Sequence, residues 1–259
     1  MPPILRVDRL TRYFAGLAAV REMSFELEPG RIYGLIGPNG AGKTTLLSII
    51  AGSLRPTSGA VSFLGRDLTG ASSFSAVAAG IVRTHQIPRP FRALSVLENV
   101  EVGARFGRAR RGPDERREVR RILDWVGLTP LARAAAGTLS VGDQKRLELA
   151  RALATAPELL LCDEVCSGLT TGEAQAVLAL LRKIREAGTT VLYVEHDLKA
   201  IMSVCDHVIV MNHGEKLAEG PPEAVQRDPA VIEAYIGRPA ERAGRPAEPA
   251  GPLPGAPED

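Results

Sequence analysis

The stretch that decides the fold is Gly37-Pro38-Asn39-Gly40-Ala41-Gly42-Lys43-Thr44, which fits the pattern G-x-x-x-x-G-K-S/T. A short apolar strand is predicted before it, over 31–36, and a helix after it, over 44–51, with Gly52 as the stop. Glycines let successive backbone N–H groups turn toward phosphate oxygens, and the N-terminus of a helix adds partial positive charge. The stretch therefore predicts a phosphate-binding loop in an α/β fold.

Two side chains of this loop have predicted roles toward a bound nucleotide. Lys43 can reach the β and γ phosphates as a point charge, and the Thr44 hydroxyl is placed to ligate Mg²⁺. The predicted nucleotide contacts are Gly37, Pro38, Asn39, Gly40, Ala41, Gly42, Lys43, Thr44 and Thr45. The loop alone does not decide between kinases, GTPases and ATPases.

A second candidate site follows the apolar run over 159–162, where the sequence continues with Asp163 and Glu164. A buried strand that ends in carboxylates brings them to the carboxyl edge of a parallel sheet, where ligands bind in α/β folds. Asp163 is predicted to hold Mg²⁺, directly or through water, and Glu164 to orient or deprotonate an attacking water. Two acidic residues at the end of a strand are common, so this pair indicates a nucleotide site only in combination with the phosphate loop.

The remaining chain alternates strand and helix patterns. Helical patterns dominate from about residue 72 to 156, and strands are predicted over 5–8, 23–27, 159–163, 190–194 and 208–211. Thr170 and Glu173 are spaced as a capping box for a further helix. Short apolar strands alternating with helices indicate a mainly parallel sheet that is covered on both faces.

An arginine-rich helix is predicted after Pro113, with Val119, Ile122, Leu123 and Val126 on one apolar face. The arginines invite a nucleic-acid interpretation; they are Arg108, Arg110, Arg111, Arg116, Arg117, Arg120 and Arg121. Acidic residues interleave with them, which favours the solvated outer face of an amphipathic helix.

Composition limits the class of protein. The 259 residues are 45% hydrophobic and 24% charged with a net charge of +2, which implies no charge-driven nucleic-acid partner. No apolar run reaches the roughly 18 residues of a spanning helix, and the N-terminus lacks a secretory signal pattern. The three cysteines, Cys162, Cys166 and Cys205, are few and odd in number, which favours a reducing compartment. We therefore expect a cytosolic chain that reaches a membrane only through partners.

The segment Leu139-Ser140-Val141-Gly142-Asp143-Gln144-Lys145-Arg146 lies between the two candidate sites. It resembles the signature of ABC-type ATPases, L-S-G-G-Q followed by a helix. The order of motifs also agrees: phosphate loop, glutamine, signature, Asp-Glu pair and histidine. The resemblance covers about Leu5 to Gly237 and implies an ATPase that uses ATP and Mg²⁺.

The same resemblance implies the architecture. The fold class is α/β, a P-loop NTPase of ABC type with a mainly parallel core sheet and an N-terminal antiparallel β region. A helical sub-domain is inserted at about 88–156, within an ATPase domain that spans 1–237. Residues 238–259 contain six prolines and predict a disordered tail.

The signature segment, residues 140–143, is predicted to act on ATP held by another chain. Ser140 suits the N-cap of a helix, and with Gly142 it would present a hydroxyl, backbone N–H groups and a helix N-terminus to an anion. In this family the anion is the γ-phosphate on the opposite subunit, so the resemblance implies a head-to-tail dimer with two ATP molecules. Ser140, Val141, Gly142 and Asp143 are therefore predicted nucleotide contacts.

Three further positions match functional residues of the family. Gln86 matches the glutamine that senses Mg²⁺ and the attacking water, and His196 matches the histidine that contacts the γ-phosphate. Phe14 matches the aromatic residue that stacks on adenine, with Tyr13 as an adjacent alternative. The resemblance thus implies Glu164, His196 and Gln86 as catalytic residues. It implies Thr44, Gln86 and Asp163 as Mg²⁺ ligands.

Four positions depart from the family pattern. Val141 replaces a signature glycine, and Asp143 replaces the usual glutamine, which brings a negative charge toward a phosphate. Val165 stands where proline is common, and Thr170 stands where many members have an aspartate. These departures concern the communication between two sites and leave Lys43 and the acidic pair intact.

Several stretches narrow the resemblance to the ATPases of branched-chain amino acid importers. They are residues 80–86, 97–100, 142–144, 194–197 and 231–237. Members of this group also serve urea, amides and aromatic acids. The implied partners are transmembrane permease subunits, a second ATPase subunit and, indirectly, a periplasmic solute-binding protein. The implied location is the cytoplasmic face of the inner membrane.

Three other interpretations differ in class. A soluble ABC ATPase that acts on nucleic acid or ribosomes usually carries two cassettes or large insertions, whereas this chain shows one phosphate loop. A small-molecule kinase would not explain the signature segment. A zinc site built from Cys162, Cys166 and a histidine is the third alternative, and we favour the interpretation that the cysteines are small buried residues.

Overall fold

The computed structural model describes residues 2–85, 88–107, 113–195 and 197–236. Its strands are β1 (Leu5–Phe14), β2 (Leu17–Leu27), β3 (Ile32–Ile36), β4 (Ser58–Phe63), β5 (Arg66–Asp67), β6 (Ile81–Arg83), β7 (Leu159–Asp163), β8 (Thr190–Val194), β9 (His207–Asn212) and β10 (Glu215–Gly220). Its α-helices are α1 (Lys43–Ile50), α2 (Ser73–Ala79), α3 (Val96–Phe106), α4 (Pro113–Trp125), α5 (Val141–Ala154), α6 (Thr171–Glu186), α7 (Leu198–Val204), α8 (Pro222–Arg227) and α9 (Pro229–Ile236).

A six-stranded sheet in the order β10-β9-β3-β8-β7-β6 forms the centre of the fold. All neighbours pair in parallel except β10 and β9, which are antiparallel. Every residue of β3, β7 and β8 is buried, because helices and the second sheet cover both faces. The mainly parallel sheet predicted from the apolar runs is thus confirmed, and β3 and β7 both deliver their carboxyl ends to the same edge.

The second sheet is antiparallel, in the order β2-β1-β4-β5. Its strands β1 and β2 are longer than the short strands predicted from alternation. They meet in a tight hairpin in which Phe14 pairs with Leu17. The two turn residues, Ala15 and Gly16, both have positive φ angles of 44° and 90°, as a hairpin that follows the strand twist requires. Alanine is not typical of such a turn, so the sequence did not predict the hairpin at Ala15.

The helical layer contains α3, α4 and α5, and it belongs to the same apolar core as β7 and β8. Val119, Ile122, Leu123 and Val126 are buried, whereas Arg116, Arg117, Arg120 and Arg121 are exposed. The amphipathic interpretation of this helix is therefore confirmed. The stretch predicted to be mostly helical also contains the buried strand β6, because three residues are too short to show a period.

Among the described residues, no helix combines the length and the apolar character needed to cross a bilayer. Residues 238–259, predicted to form a disordered tail, lie outside the described residues.

Candidate active site

The phosphate loop connects the carboxyl end of β3 to α1. Gly42 is the N-cap of α1, with φ of 102° and no side chain bonded to the helix end. The first backbone N–H groups of a helix have no partners within the helix, so an uncapped N-terminus is suited to bind an anion. The loop and the strand–helix context predicted for it are both present.

Two glycines of the loop are required by close backbone neighbours. A Cβ atom at Gly42 would lie 2.1 Å from the carbonyl oxygen of Ala19, which belongs to β2. A Cβ atom at Gly37, with φ of 152°, would lie 2.1 Å from the carbonyl oxygen of Met211, which belongs to β9. Neither backbone neighbour can move without disturbing a sheet, so the loop is wedged between two strands.

Lys43 is folded back onto the loop. Its Nζ donates to the carbonyl oxygens of Gly37 at 2.7 Å and Pro38 at 3.0 Å, and only 6% of the residue is exposed. Desolvation lowers the pKa of Lys43, while the carboxylates of Glu164 and Asp163 oppose that shift. The ammonium group therefore lies close to both predicted acids, where a phosphate would also be held.

A cavity of about 510 Å³ opens on the loop. Its lining combines Ala19 and Glu164 with most of the predicted loop contacts, namely Asn39, Gly40, Ala41, Gly42, Lys43, Thr44 and Thr45. Glu164 comes from a segment more than a hundred residues away in sequence. The fold thus brings the predicted base and the predicted phosphate-binding loop to one cavity.

Asp163 ends β7 and is almost fully buried. Its Oδ2 accepts a hydrogen bond from Arg83 Nη2 at 2.6 Å, and Arg83 Nη1 donates to Ser48 Oγ on α1 at 2.8 Å. Arg83 was not among the residues predicted from the sequence. The feature that could have indicated it is a basic residue within the apolar strand β6. Asp163 is thereby tied through one guanidinium group to the helix that follows the phosphate loop.

The predicted Mg²⁺ ligands have the right chemistry for that ion. Mg²⁺ prefers oxygen ligands and keeps water and phosphate oxygens in its shell, so one or two protein oxygens suffice. The Asp163 carboxylate and the Thr44 hydroxyl supply such oxygens, and Thr44 lines the phosphate-loop cavity. Because Arg83 engages Asp163 Oδ2, a cation that used this oxygen would have to displace or share it.

Glu164 leaves the strand in a left-handed backbone conformation, with φ of 49°. Its N–H donates to the carbonyl oxygen of Val194 at 2.9 Å, and 9% of the residue is exposed. The chain therefore turns sharply between Asp163, which is still in β7, and Glu164. Val165, which stands where the family often has proline, is buried in the core.

The signature segment forms the N-terminus of α5, and Ser140 is its N-cap as predicted. Ser140 Oγ accepts from the Asp143 N–H at 3.1 Å and donates to Asp143 Oδ2 at 2.7 Å. Asp143 also forms an ion pair with Arg146. The charge of Asp143, which the sequence suggested would repel a phosphate, is thus balanced by a neighbour one turn away.

The other residues of the signature lie at the surface or against α6. Val141 is 60% exposed, and Gly142 is buried where an added Cβ would lie 2.4 Å from Glu173 Oε1. Glu173 forms the predicted capping box with Thr170, so Thr170 has a structural role in starting α6. None of residues 140–143 lines the phosphate-loop cavity.

The predicted adenine-stacking residues lie in the β1–β2 hairpin. Phe14 and Tyr13 are 43% and 44% exposed, and the Arg12 guanidinium lies over the Phe14 ring at 4.7 Å. Gln86 and His196 lie outside the described residues. Cys162 and Cys205 are buried among apolar side chains of the core.

Comparison with known proteins agrees with this geometry. Residues 20–167 match the family model described as "ABC transporter", and residues 215–241 match "Branched-chain amino acid ATP-binding cassette transporter". The chain is 38% identical over 250 residues to the "High-affinity branched-chain amino acid transport ATP-binding protein BraF" of Pseudomonas aeruginosa. That match covers 91% of this chain and 98% of BraF.

Solved structures of ATP-binding cassettes share the fold. The ADP conformation of MJ1267 is 32% identical and superposes with a TM-score of 0.83, covering 92% of this chain and all of that one. The dimeric structure of MJ0796, a bacterial ABC transporter cassette, is 26% identical with a TM-score of 0.76, covering 84% and 98% of the two chains. Fold, phosphate loop and sequence similarity agree, and the chain therefore belongs to the ABC transporter family, as an ATP-binding subunit that hydrolyses ATP.

Proposed function

We propose that this chain hydrolyses ATP to power a membrane importer for branched-chain amino acids or a related small polar or aromatic solute. The observation that carries the ATPase chemistry is that the phosphate loop and Glu164 line the same cavity. The solute class rests on the match of residues 215–241 and on the similarity to BraF.

The proposed roles follow the geometry of the cavity. The backbone of residues 37–45 and the Lys43 ammonium hold the phosphates, and Phe14 or Tyr13 stacks on adenine. Thr44, Asp163 and Gln86 would hold Mg²⁺, and that ion would supply charge neutralisation at the phosphates. Glu164 orients or deprotonates the attacking water, and His196 contacts the γ-phosphate.

The cavity is proposed to be only half of a catalytic site. Ser140 and Val141 are exposed and do not line the cavity, yet Ser140 caps a helix N-terminus that suits an anion. A second ATPase subunit, arranged head-to-tail, would place this segment over the γ-phosphate. The existence of a dimeric ABC cassette with the same fold supports this arrangement.

The importer would further require transmembrane permease subunits and a periplasmic solute-binding protein. In that assembly the chain sits at the cytoplasmic face of the inner membrane and contacts the permease through the segment around Gln86. ATP binding closes the dimer, and hydrolysis with product release reopens it. Movement of the helical layer would transmit this conformational change to the permease subunits.

Reconstitution tests the proposal. The chain, its permease subunits and their solute-binding protein would be placed in proteoliposomes, and ATP-driven uptake of leucine, urea, an amide and an aromatic acid compared. Uptake of at least one of these solutes that is lost with Glu164→Gln supports the proposal. ATPase activity without uptake of any of them would reject the importer assignment.

A further inference from the structure

We propose that Lys145 is a positioning residue for hydrolysis: it holds the backbone of Glu164 in the turn that directs this carboxylate into the phosphate-loop cavity. The inference rests on the proposed role of Glu164. Lys145 lies on α5, the helix that begins at the signature segment, and it was not among the residues singled out from the sequence.

The direct contact is a hydrogen bond to a backbone atom. Lys145 Nζ donates to the carbonyl oxygen of Glu164 at 2.9 Å, and Lys145 is only 6% exposed. Lys145 is in helical register with the buried residues Leu149 and Ala152, on the face of α5 that enters the core. An apolar side chain would suit that face for packing alone, so the buried ammonium needs another explanation.

The acceptor belongs to a residue whose backbone conformation is unfavourable. A φ of 49° places Glu164 in the left-handed region, which residues with a Cβ rarely adopt. The turn is fastened on both sides of the residue. The Glu164 N–H donates to Val194 of β8 at 2.9 Å, while its carbonyl oxygen accepts from Lys145 and, at 3.2 Å, from the Ser167 N–H.

Carboxylates around the ammonium group balance its charge inside the core. Burial lowers the pKa of Lys145, and Glu195, Glu148 and Glu164 oppose the shift in that part of the fold. Glu195 is 4% exposed and accepts from the Cys166 N–H at 2.7 Å. The Lys145 side chain thus holds the segment after β7 at Glu164, and the Glu195 carboxyl group holds it two residues later.

The position of Lys145 connects the two halves of the proposed composite site. Ser140 starts α5, and Lys145 lies little more than one turn further along the same helix. A displacement of this helix, when its N-terminus meets the γ-phosphate of a second subunit, would act directly on the Glu164 carbonyl. Engagement of one ATP would in this way align the glutamate that serves the other.

The test compares Lys145→Met, Lys145→Gln and the surface control Lys183→Met in the full-length chain. Steady-state phosphate release gives kcat and KM, a fluorescent ATP analogue gives the MgATP Kd, and thermal unfolding gives Tm. We expect Lys145→Met to lower kcat roughly 10- to 100-fold with the Kd nearly unchanged, because displaced catalytic groups lose rate rather than substrate affinity. Lys145→Gln keeps a donor and should recover part of the loss.

Each outcome decides the inference. A kcat for Lys145→Met equal to that of Lys183→Met overturns it, as does a parallel loss of kcat, MgATP affinity and Tm, which would indicate a general structural role. Failure of both Lys145 variants to fold overturns it as well. In a Glu164→Gln background, Lys145→Met should cause no further loss, because both changes act on one group. If Glu164→Gln alone keeps full turnover, the proposed role of Glu164 is wrong instead.

Discussion

The phosphate loop and the signature segment differ in how much of their task they complete within one chain. The loop is wedged between β2 and β9, Lys43 is buried, and Glu164 lines the same cavity. The signature segment is also well formed, with Ser140 as N-cap and Asp143 paired to Arg146, but its residues Ser140 and Val141 are exposed to solvent. One region lines a cavity within the chain, and the other presents a helix N-terminus at the surface.

The difference indicates that ATP binding and ATP turnover depend on different regions of the chain. We propose that a single chain suffices to bind MgATP, because Lys43, Thr44 and Glu164 line one cavity. The groups that would complete the shell around the γ-phosphate are presented outward. We therefore expect substitutions in the loop to remove binding, and substitutions in the signature segment to spare binding and remove turnover.

The largest expected effect comes from Lys43→Met. Removing the charge that faces the β and γ phosphates should weaken MgATP binding by roughly 100-fold or more, since a lost buried charge contact is costly. Isothermal titration with MgATP measures the change, and Lys183→Met on the exposed face of α6 is the matched control. Binding within a factor of two of the unmodified chain would show that the loop does not hold phosphate through Lys43.

Glu164→Gln should separate binding from turnover. The loss of a group that orients or deprotonates water lowers the rate by roughly 100-fold or more, while the neutral side chain leaves MgATP affinity in place. The ATP-bound dimer should then accumulate and be visible by light scattering at micromolar chain concentration. Unchanged phosphate release would remove Glu164 from the proposed mechanism.

A pair of glycine substitutions tests whether the loop is rigidly held. Gly42→Ala forces a Cβ against the Ala19 carbonyl, whereas an added Cβ at Gly40 meets no atom within 4 Å. Both glycines have positive φ, so the strain of that conformation is shared and the clash alone distinguishes them. We expect Gly42→Ala to lower the free energy of unfolding by roughly 1–3 kcal/mol more than Gly40→Ala. Equal denaturation midpoints for the two variants would contradict the wedged loop.

Removal of the tail, residues 238–259, has the smallest expected effect. A chain truncated after Gly237 loses only the proline-rich residues 238–259, which carry one large aliphatic residue, Leu253, and should add little to stability. ATPase activity and Tm should match those of the full-length chain. A truncated chain without ATPase activity would mean that the tail contributes to the fold or the site.

Sequence predicted the features that depend on local pattern. The loop between β3 and α1, the Ser140 and Thr170 caps and the buried strand that ends in Asp163 all follow from short-range chemistry. Each of these features can be predicted from residues that are close together in the sequence. The convergence of Glu164 on the loop was also predictable, because parallel strands deliver their carboxyl ends to one edge.

Contacts between distant side chains could not be predicted from those patterns. Arg83 reaches Asp163 because β6 lies beside β7 in the sheet, and Lys145 reaches the Glu164 carbonyl because α5 and β7 share one apolar core. Their common signal is a basic residue at an apolar position. The left-handed φ of Glu164 could not be predicted from the sequence, since glutamate does not favour the left-handed conformation.

A mixing experiment tests the composite site most directly. Lys43→Met lacks the phosphate-binding half and Ser140→Arg blocks the signature half, so each variant alone should be inactive. In an equal mixture, half of the dimers contain one site with both halves intact. The rate should therefore recover to at most roughly a quarter of that of the unmodified chain, and to less than that because the second site of these dimers cannot engage ATP. Substantial ATPase activity from Ser140→Arg alone, or no recovery in the mixture while both variants dimerise, would contradict a site shared between two chains.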